Sequence, residues 1–139
     1  RGLRHLRELR LLRELDLFGN EITGEGLDEL RDFEELECLN LDSNDITDES
    51  LVHLRGLRSL RELRLSHNEI SDAGVVHLRT LTNLRFLSLD RNSAITDASL
   101  EQLEVLKGLE VLYVVNTQVT AQGVARLRDA LPNLFVLGP

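Results

Sequence analysis

The side chains best suited to bind a metal ion share one predicted helix column. They follow one another at intervals of 24 residues: His5, Glu29, His53 and His77. Neighbouring helices lie about 8–10 Å apart. Two ring nitrogens therefore cannot both lie about 2.0–2.1 Å from one zinc ion unless both side chains reach inward. We predict no metal site and no cofactor.

No catalytic motif accompanies these residues. The sequence contains no Gly-rich phosphate loop, no Cys/His metal spacing, and no His, Ser and acid on neighbouring exposed columns. The single cysteine, Cys38, is expected to lie near Glu14, Glu62 and Asp42, whose charges disfavour the reactive thiolate. The sequence therefore indicates a protein that is not an enzyme.

Composition and charge narrow the class of partner. The 139 residues carry a net charge of −8 and are 42% hydrophobic but only 4% aromatic, so leucine must fill a single core. From Glu14 to Glu49 there are 14 acidic residues and one basic residue, Arg31. A nucleic acid or an anionic membrane would not be attracted to this surface. A protein or peptide partner is expected instead.

Cysteine count and hydropathy bear on the compartment. One cysteine cannot form an internal disulfide, which favours a reducing compartment such as the cytoplasm, and export as an effector stays open. No apolar run reaches the roughly 18 residues of a membrane span, and the first ten residues lack the core of a signal peptide. The chain begins at Arg1 and contains no Met, so we expect it to be a trimmed piece.

The element that must position any functional residue is a repeated unit, best seen in 60–74. Leu63 and Leu65 alternate with Arg64 as in a half-buried strand. Ser71 is a suitable helix N-cap, and Val75 and the leucines that follow it return every three positions. We expect equivalent N-caps in the other units at Thr23, Thr47, Thr96 and Thr120. Such a unit must stack on copies of itself to bury its apolar edges.

The repeats define one domain, residues 1–139. The leucines that open successive strands lie 24, 24, 24, 25 and 25 residues apart: Leu12, Leu36, Leu60, Leu84, Leu109 and Leu134. We divide the chain into a partial repeat (2–11), five repeats (12–35, 36–59, 60–83, 84–108 and 109–133) and a terminal strand (134–139). Neither end carries a polar cap, which predicts self-association through the ends.

The recurring pattern L-x-x-L-x-L-x-x-N-x-I-[TS] resembles the leucine-rich repeat family over residues 2–137. Its 24-residue length and I-T-D-x-G-L turn are most similar to short bacterial repeats, including GALA-type effectors, and to F-box substrate receptors. The resemblance implies an α/β solenoid: a curved coil with a parallel β-sheet on the concave face and helices on the convex face. It also implies a buried, structural ladder of Asn20, Asn44, Asn68 and Asn92 that Thr117 interrupts.

Function is expected on the exposed strand positions, which stack into columns. One column reads Glu14, Cys38, Glu62, Phe86, Val111 and Val136. The predicted partner-binding residues are Phe86, Val111, Tyr113 and Val115 as apolar anchors, with Asp90, Arg91 and His67 at the charged rim. Apolar residues beside charges are typical of a protein-binding surface, although these side chains could instead shield one another and simply complete the sheet.

Three interpretations of function follow from the sequence. The leading one is a non-enzymatic protein-interaction module that binds a protein or peptide on its concave sheet. The alternatives are a substrate-recognition arm of a larger enzyme or effector, resembling a ubiquitin-ligase subunit, and a structural or engineered repeat scaffold. A column of arginines on the helix flank is a further candidate docking stripe, although a solvated flank explains it better: Arg7, Arg31, Arg55, Arg79 and Arg128.

Overall fold

The computed structural model describes residues 2–139, so residue 1 of the predicted domain lies outside the described part. Six strands of three residues each form one sheet in the order β1-β2-β3-β4-β5-β6, and every neighbouring pair is parallel. The strands are β1 (Glu14–Asp16), β2 (Cys38–Asn40), β3 (Glu62–Arg64), β4 (Phe86–Ser88), β5 (Val111–Tyr113) and β6 (Phe135–Leu137). The predicted α/β leucine-rich repeat solenoid is confirmed.

Short helices connect the strands. The α-helices are α1 (Gly24–Asp28), α2 (Asp72–Val75), α3 (Asp97–Leu103) and α4 (Ala121–Ala130), and 3-10 helices cover Gly2–Leu6, Glu49–Leu54 and Val76–Thr80. A three-residue apolar spacing matches the three residues per turn of a 3-10 helix, as at Leu51 and Leu54. The extra residue near the end of α4 places Leu131 four positions after Leu127, which suits a regular α-helix. None of the described helices is long and apolar enough to cross a membrane.

The core is a stack of leucines between the sheet and the helices. The middle residue of each strand points inward: Leu39, Leu63, Leu87 and Leu112 have at most 1% of their surface exposed. A β-branched apolar residue after each turn and leucines from each helix complete the same layer in successive repeats, as Ile46 and Leu54 do. Because one continuous core runs along the coil, each repeat is stabilised by its neighbours.

The sequence-based alignment of the sixth strand is wrong by one residue. Val111 pairs with Phe135, and Leu112 pairs with Val136. Val136 is therefore buried, with 7% of its surface exposed. Phe135 occupies the position in the exposed column that we predicted for Val136. The cause is a shorter connection, because Leu134 and Val136, both buried, are separated by one residue where earlier repeats have two.

The helix N-caps are only partly those predicted. The side chains of Ser71, Thr96 and Thr120 accept backbone N–H groups at the starts of α2, α3 and α4. Thr23 precedes α1 without a side-chain capping bond. In the second repeat the residue before the 3-10 helix is Asp48, so Thr47 is not the cap. The hydroxyl of Thr47 instead donates to the Glu49 carboxylate.

Candidate functional site

The four predicted anchors lie together on the face of the sheet that points away from the helices. Phe86 and Val111 are register partners on β4 and β5. Tyr113 lies two residues beyond Val111 on the same face, and Val115 follows it. All four side chains are half-buried. Period-two alternation along each strand and parallel pairing between strands bring them into one cluster.

Two aromatic rings form the centre of this cluster. The ring centroids of Phe86 and Tyr113 are 5.1 Å apart with an angle of 70° between the planes, an edge-to-face contact. The Arg64 guanidinium lies over the Phe86 ring, 5.2 Å from its centroid. The Arg64 Nε also donates to the Glu62 carboxylate at 2.7 Å. Phe86 thus has a neighbour in both contacts, Tyr113 and Arg64, which restrict its ring.

Sequence reasoning missed two residues of the same surface. Phe135 and Leu137, on β6, are 56% and 42% exposed and pair with Val111 and Tyr113. They were missed because the predicted register of the sixth strand was wrong by one residue. We use the name apolar patch for the following six residues: Phe86, Val111, Tyr113, Val115, Phe135 and Leu137.

The rim residue Asp90 is part of the scaffold. Its Oδ1 accepts the backbone N–H of Val115 at 2.6 Å, and Asp42 accepts the N–H of Ser66 at 2.6 Å in the same way. Burial raises the pKa of both carboxyl groups above the usual value, although these hydrogen bonds act in the opposite direction. The negative charge of Asp42 adds to the rise at Asp90.

The other two rim residues lie in the turn that follows each strand. His67 and Arg91 are exposed and have positive φ values of 59° and 58°. Gly19, Ser43 and Asn116 occupy the same place in their repeats, with φ between 57° and 65°. The left-handed conformation thus recurs around the coil. The structure places His67 and Arg91 beside the sheet face through this shared turn.

The asparagine column bridges consecutive repeats. Asn44 Oδ1 accepts the backbone N–H groups of Asn20 and Ile22 at 3.1 and 2.9 Å. Its Nδ2 donates to the carbonyls of Leu17 and Leu41, both at 3.0 Å. Asn68 and Asn92 make equivalent bonds one and two repeats later. Buried amides of this kind satisfy backbone groups that the tight turn leaves unpaired.

The two ends of this column differ from its centre. Asn20 is exposed, and its Nδ2 donates to the Phe18 carbonyl in the same turn. Thr117 donates to the Val114 carbonyl at 2.7 Å and accepts from the Val119 N–H, both within its own repeat. The bond to the preceding repeat is made instead by Gln118, whose Nε2 donates to the Ser93 carbonyl at 2.6 Å.

A second polar column, which sequence reasoning did not find, links the helix starts. Asp72 Oδ1 accepts the Thr96 N–H at 2.9 Å and its Oδ2 accepts the Thr96 hydroxyl at 2.7 Å. Asp48 contacts Ser71 and Asp97 contacts Thr120 in the same two-bond arrangement. The recurring Ser/Thr-Asp dipeptide is the signal that could have indicated it.

The lowered pKa values of two aspartates and the room beside Asp97 both support this column. Burial acts to raise the pKa of Asp72, but the hydrogen bonds from Ser99 and Thr96 outweigh it and lower the pKa below the usual value. The backbone and hydroxyl of Thr120 lower the pKa of Asp97. Gly123 faces Asp97, and a Cβ at that position would overlap the carboxylate. Glycine therefore leaves room for the acid of the preceding repeat.

The remaining candidate functional groups are the Cys38 thiol and the column of histidines. Burial, followed by the charges of Glu62 and Glu14, raises the pKa of the Cys38 thiol, so the thiol stays protonated near neutral pH. Across residues 2–139, no group of three His, Cys, Asp or Glu side chains could hold a metal ion. His53 instead lies 3.2 Å from the Asp28 carboxylate.

Three residues of the arginine column are engaged within the chain. Arg7 pairs with Glu29, and Arg31 lies 3.4 Å from the Asp28 carboxylate. Arg128 donates to the Val136 carbonyl at 3.4 Å, which occupies a backbone acceptor of the sheet's last strand. These contacts favour a solvated, internally paired flank over a docking stripe.

A coil of stacked strand–turn–helix units with one parallel sheet defines a repeat solenoid. Two family models match this chain: one described as leucine rich repeat, over residues 10–70, and one described as leucine rich repeats (2 copies), over residues 58–104. The chain belongs to the leucine-rich repeat proteins. This is generally a non-enzymatic fold for protein interaction.

Solved structures of bacterial proteins are similar to this chain. An internalin (inlF) from Listeria monocytogenes has a TM-score of 0.81 and 24% identity, with 96% of this chain and 36% of that chain covered. An internalin C2 (inlC2) from the same organism has a TM-score of 0.80 and 27% identity, with 99% and 56% covered. A leucine-rich repeat protein from Leptospira interrogans has a TM-score of 0.70 and 25% identity, with 96% and 33% covered.

The chain thus spans between 33% and 56% of the length of these three proteins. No curated protein matches it. The finer likeness to GALA-type effector repeats stays a prediction.

Proposed function

We propose that this chain is a non-enzymatic module that binds a protein or peptide on the exposed face of its sheet, with the apolar patch as the anchor. The observation that carries this proposal is the continuity of the patch across three neighbouring strands, β4, β5 and β6, in a protein whose other outward-facing strand positions are mostly polar. Contiguous apolar surface of this kind is typical of a protein interaction site.

The expected mechanism is recognition by a rigid surface. The sheet is fixed by its backbone pairing, and Phe86 is held by Tyr113 and Arg64. Little side-chain freedom is therefore lost when a partner covers these rings, which favours affinity. The more exposed Phe135 and Leu137 supply additional apolar area at the margin of the same surface.

The test is affinity capture from a lysate of the source organism and any host, followed by a binding titration with the captured protein. Phe135→Asp/Leu137→Asp places charge in the patch at exposed positions and leaves the Phe86–Tyr113 contact in place. Val105→Asp is the matched control, because Val105 is 38% exposed and lies after α3, away from the sheet. Both variants are checked for an unchanged melting temperature.

Loss of the captured protein with the patch variant and retention with the control would support the proposed site. We expect at least a 30-fold loss of affinity, or about 2 kcal/mol or more. Equal binding by the patch variant and the unsubstituted chain would contradict it, as would the absence of any specific partner.

A recognition arm within a larger enzyme or effector is the second candidate. It is favoured because the chain spans only part of the length of the proteins it is similar to. A longer reading frame that encodes a catalytic domain beside these repeats would support it. A frame without any such domain would leave the independent interaction module.

Self-association through the ends of the coil is a third proposal, supported by exposed apolar side chains of the partial repeat (2–11) and of the repeat that follows it (12–35). Leu9, Leu11 and Phe18 are 51%, 84% and 61% exposed. We expect Leu11→Gln to lower the fraction of dimer or larger species in sedimentation velocity. If the unsubstituted chain is monomeric at every concentration measured, this proposal is contradicted.

A further inference from the structure

The exposed face of the sheet is divided into two chemically different halves. The apolar patch occupies β4 to β6, whereas β1 to β3 carry acids. We call the following four residues the acidic half: Glu14, Asp16, Asp42 and Glu62. Among the described outward-facing residues of β1 to β3, Arg64 is the only basic side chain. It already contacts Glu62 and Phe86. The acidic half therefore keeps a net negative charge.

The turns beside the acidic half extend this negative surface. Glu21, Asp45 and Glu69 are exposed and occupy equivalent positions. The Asp45 N–H donates to the Ile22 carbonyl at 3.1 Å and the Glu69 N–H to the Ile46 carbonyl at 3.0 Å, so the three turns stack directly. The following turns carry Ser93 and Gln118 at the corresponding place. The row of acidic turns thus ends where the apolar patch begins, and Asp90, which accepts the Val115 N–H, is a half-buried acid at the edge of the patch.

We propose that the partner segment is both apolar and basic: an aromatic or aliphatic residue covers the apolar patch, and Lys or Arg side chains cover the acidic half. This proposal rests on the proposed function and adds the chemistry and the orientation of the partner. The argument is charge complementarity, because like charges facing the acidic half would be repelled and cations would be attracted from a distance.

The dimensions of the sheet set the length of this segment. Six strands about 4.8 Å apart span about 24 Å. A helix rises about 1.5 Å per residue, so roughly 16 helical residues cross the face. An extended chain at about 3.3 Å per residue crosses it in roughly seven residues. The apolar anchor and the basic residues are therefore expected at opposite ends of one continuous segment.

The geometry of the acids decides which substitutions are informative. Asp16 and Asp42 accept backbone N–H groups through Oδ1, from Phe18 at 2.9 Å and from Ser66 at 2.6 Å. Asparagine keeps an Oδ1 acceptor at both positions while removing the charge. The test variant is Glu14→Gln/Asp16→Asn/Asp42→Asn. Its matched control, Glu34→Gln/Glu101→Gln/Asp129→Asn, removes three exposed acids that lie outside the sheet face.

The probe is a displayed library of random peptides of about 16 residues, the length of a helix that crosses the face. Peptides are selected on the unsubstituted chain and then synthesised. Only those that lose binding to Phe135→Asp/Leu137→Asp are analysed further, because these depend on the apolar patch. Their affinities for the test variant and the control are measured by calorimetry at about 50 mM and about 500 mM salt, where screening differs strongly.

We expect the patch-dependent peptides to carry an apolar anchor and at least two Lys or Arg residues. Their affinity is expected to fall about tenfold in the test variant and to change less than twofold in the control. High salt is expected to weaken binding to the unsubstituted chain more than binding to the test variant.

Two results would overturn the inference, and they are distinguishable. Patch-dependent peptides that are neutral or acidic, or that bind the test variant and the control equally, would remove the basic partner and leave the proposed function standing. Failure to select any patch-dependent peptide would count against both the proposed function and this inference.

Discussion

The ring of Tyr113 contacts the ring of Phe86 edge to face, at a centroid distance of 5.1 Å. The two residues are 27 positions apart in sequence and lie on neighbouring strands, β5 and β4. Their contact makes the centre of the apolar patch partly structural, because each ring shields the other. The more exposed margin, Phe135 and Leu137, is therefore the better place to test binding without disturbing folding.

The first prediction concerns this ring pair. A double-mutant cycle with Phe86→Ala and Tyr113→Ala is expected to give a coupling energy of about 0.5–1.5 kcal/mol in urea unfolding. Phe135→Ala combined with Tyr113→Ala is the comparison, because Phe135 has no ring partner among the described residues. Equal coupling in the two cycles would show that the edge-to-face contact has no special role.

The second prediction concerns the asparagine column. Asn92 is fully buried and bridges two repeats, so Asn92→Ala leaves backbone groups unpaired and is expected to cost about 1–3 kcal/mol in the free energy of unfolding. Asn20→Ala is the control, because Asn20 is exposed and its amide contacts only its own turn. Similar urea midpoints for the two variants would contradict a bridging role.

The third prediction concerns the space beside the second polar column. Gly123→Ala is expected to lower the free energy of unfolding by about 1–3 kcal/mol, because the new methyl group would overlap the Asp97 carboxylate. Gly108→Ala is the control. A Cβ there meets nothing closer than the Leu84 carbonyl at 3.7 Å, so this change is expected to stay within about 0.5 kcal/mol or to stabilise slightly.

The fourth prediction is a pH dependence with opposite signs at two aspartates. The folded-state pKa of Asp72 is lowered, so its ionised form contributes stability above the unfolded pKa of about 3.9 that is lost as pH falls through the folded pKa. Asp72→Asn is thus expected to cost about 1–2 kcal/mol at pH 7. The cost is expected to shrink in unfolding measured below about pH 3.5.

Asp42 is expected to behave in the opposite way. Burial raises its folded-state pKa, so its ionised form opposes folding at neutral pH, and protonation stabilises the fold as pH falls through that raised pKa. Asp42→Asn keeps the acceptor for the Ser66 N–H. It is expected to leave the free energy of unfolding unchanged or higher at pH 7. A large loss at pH 7 would contradict this assignment of the pKa shift.

The repeat architecture could be predicted from the sequence because its cause is local and periodic. Leucines at fixed intervals, such as Leu63 and Leu65, can be buried together only if successive units stack in phase. The same phase predicts that Phe86, Val111 and Tyr113 share one face of the sheet. These inferences need only the alternation of a strand and the regularity of the repeat.

Features that depend on atoms from different repeats could not be predicted from the sequence and are seen only in the folded coil. The register of the sixth strand differs by one residue from the predicted register, because Val136 is the strand residue that is buried in the core. Phe135 is therefore exposed. The hydrogen bonds of Asp72 to Thr96 join side chains 24 positions apart, and their geometry depends on how closely the helices stack. The periodicity of the sequence sets which residues share a face. The packing between repeats sets which of them touch, because close packing places side chains more precisely than a repeat spacing does.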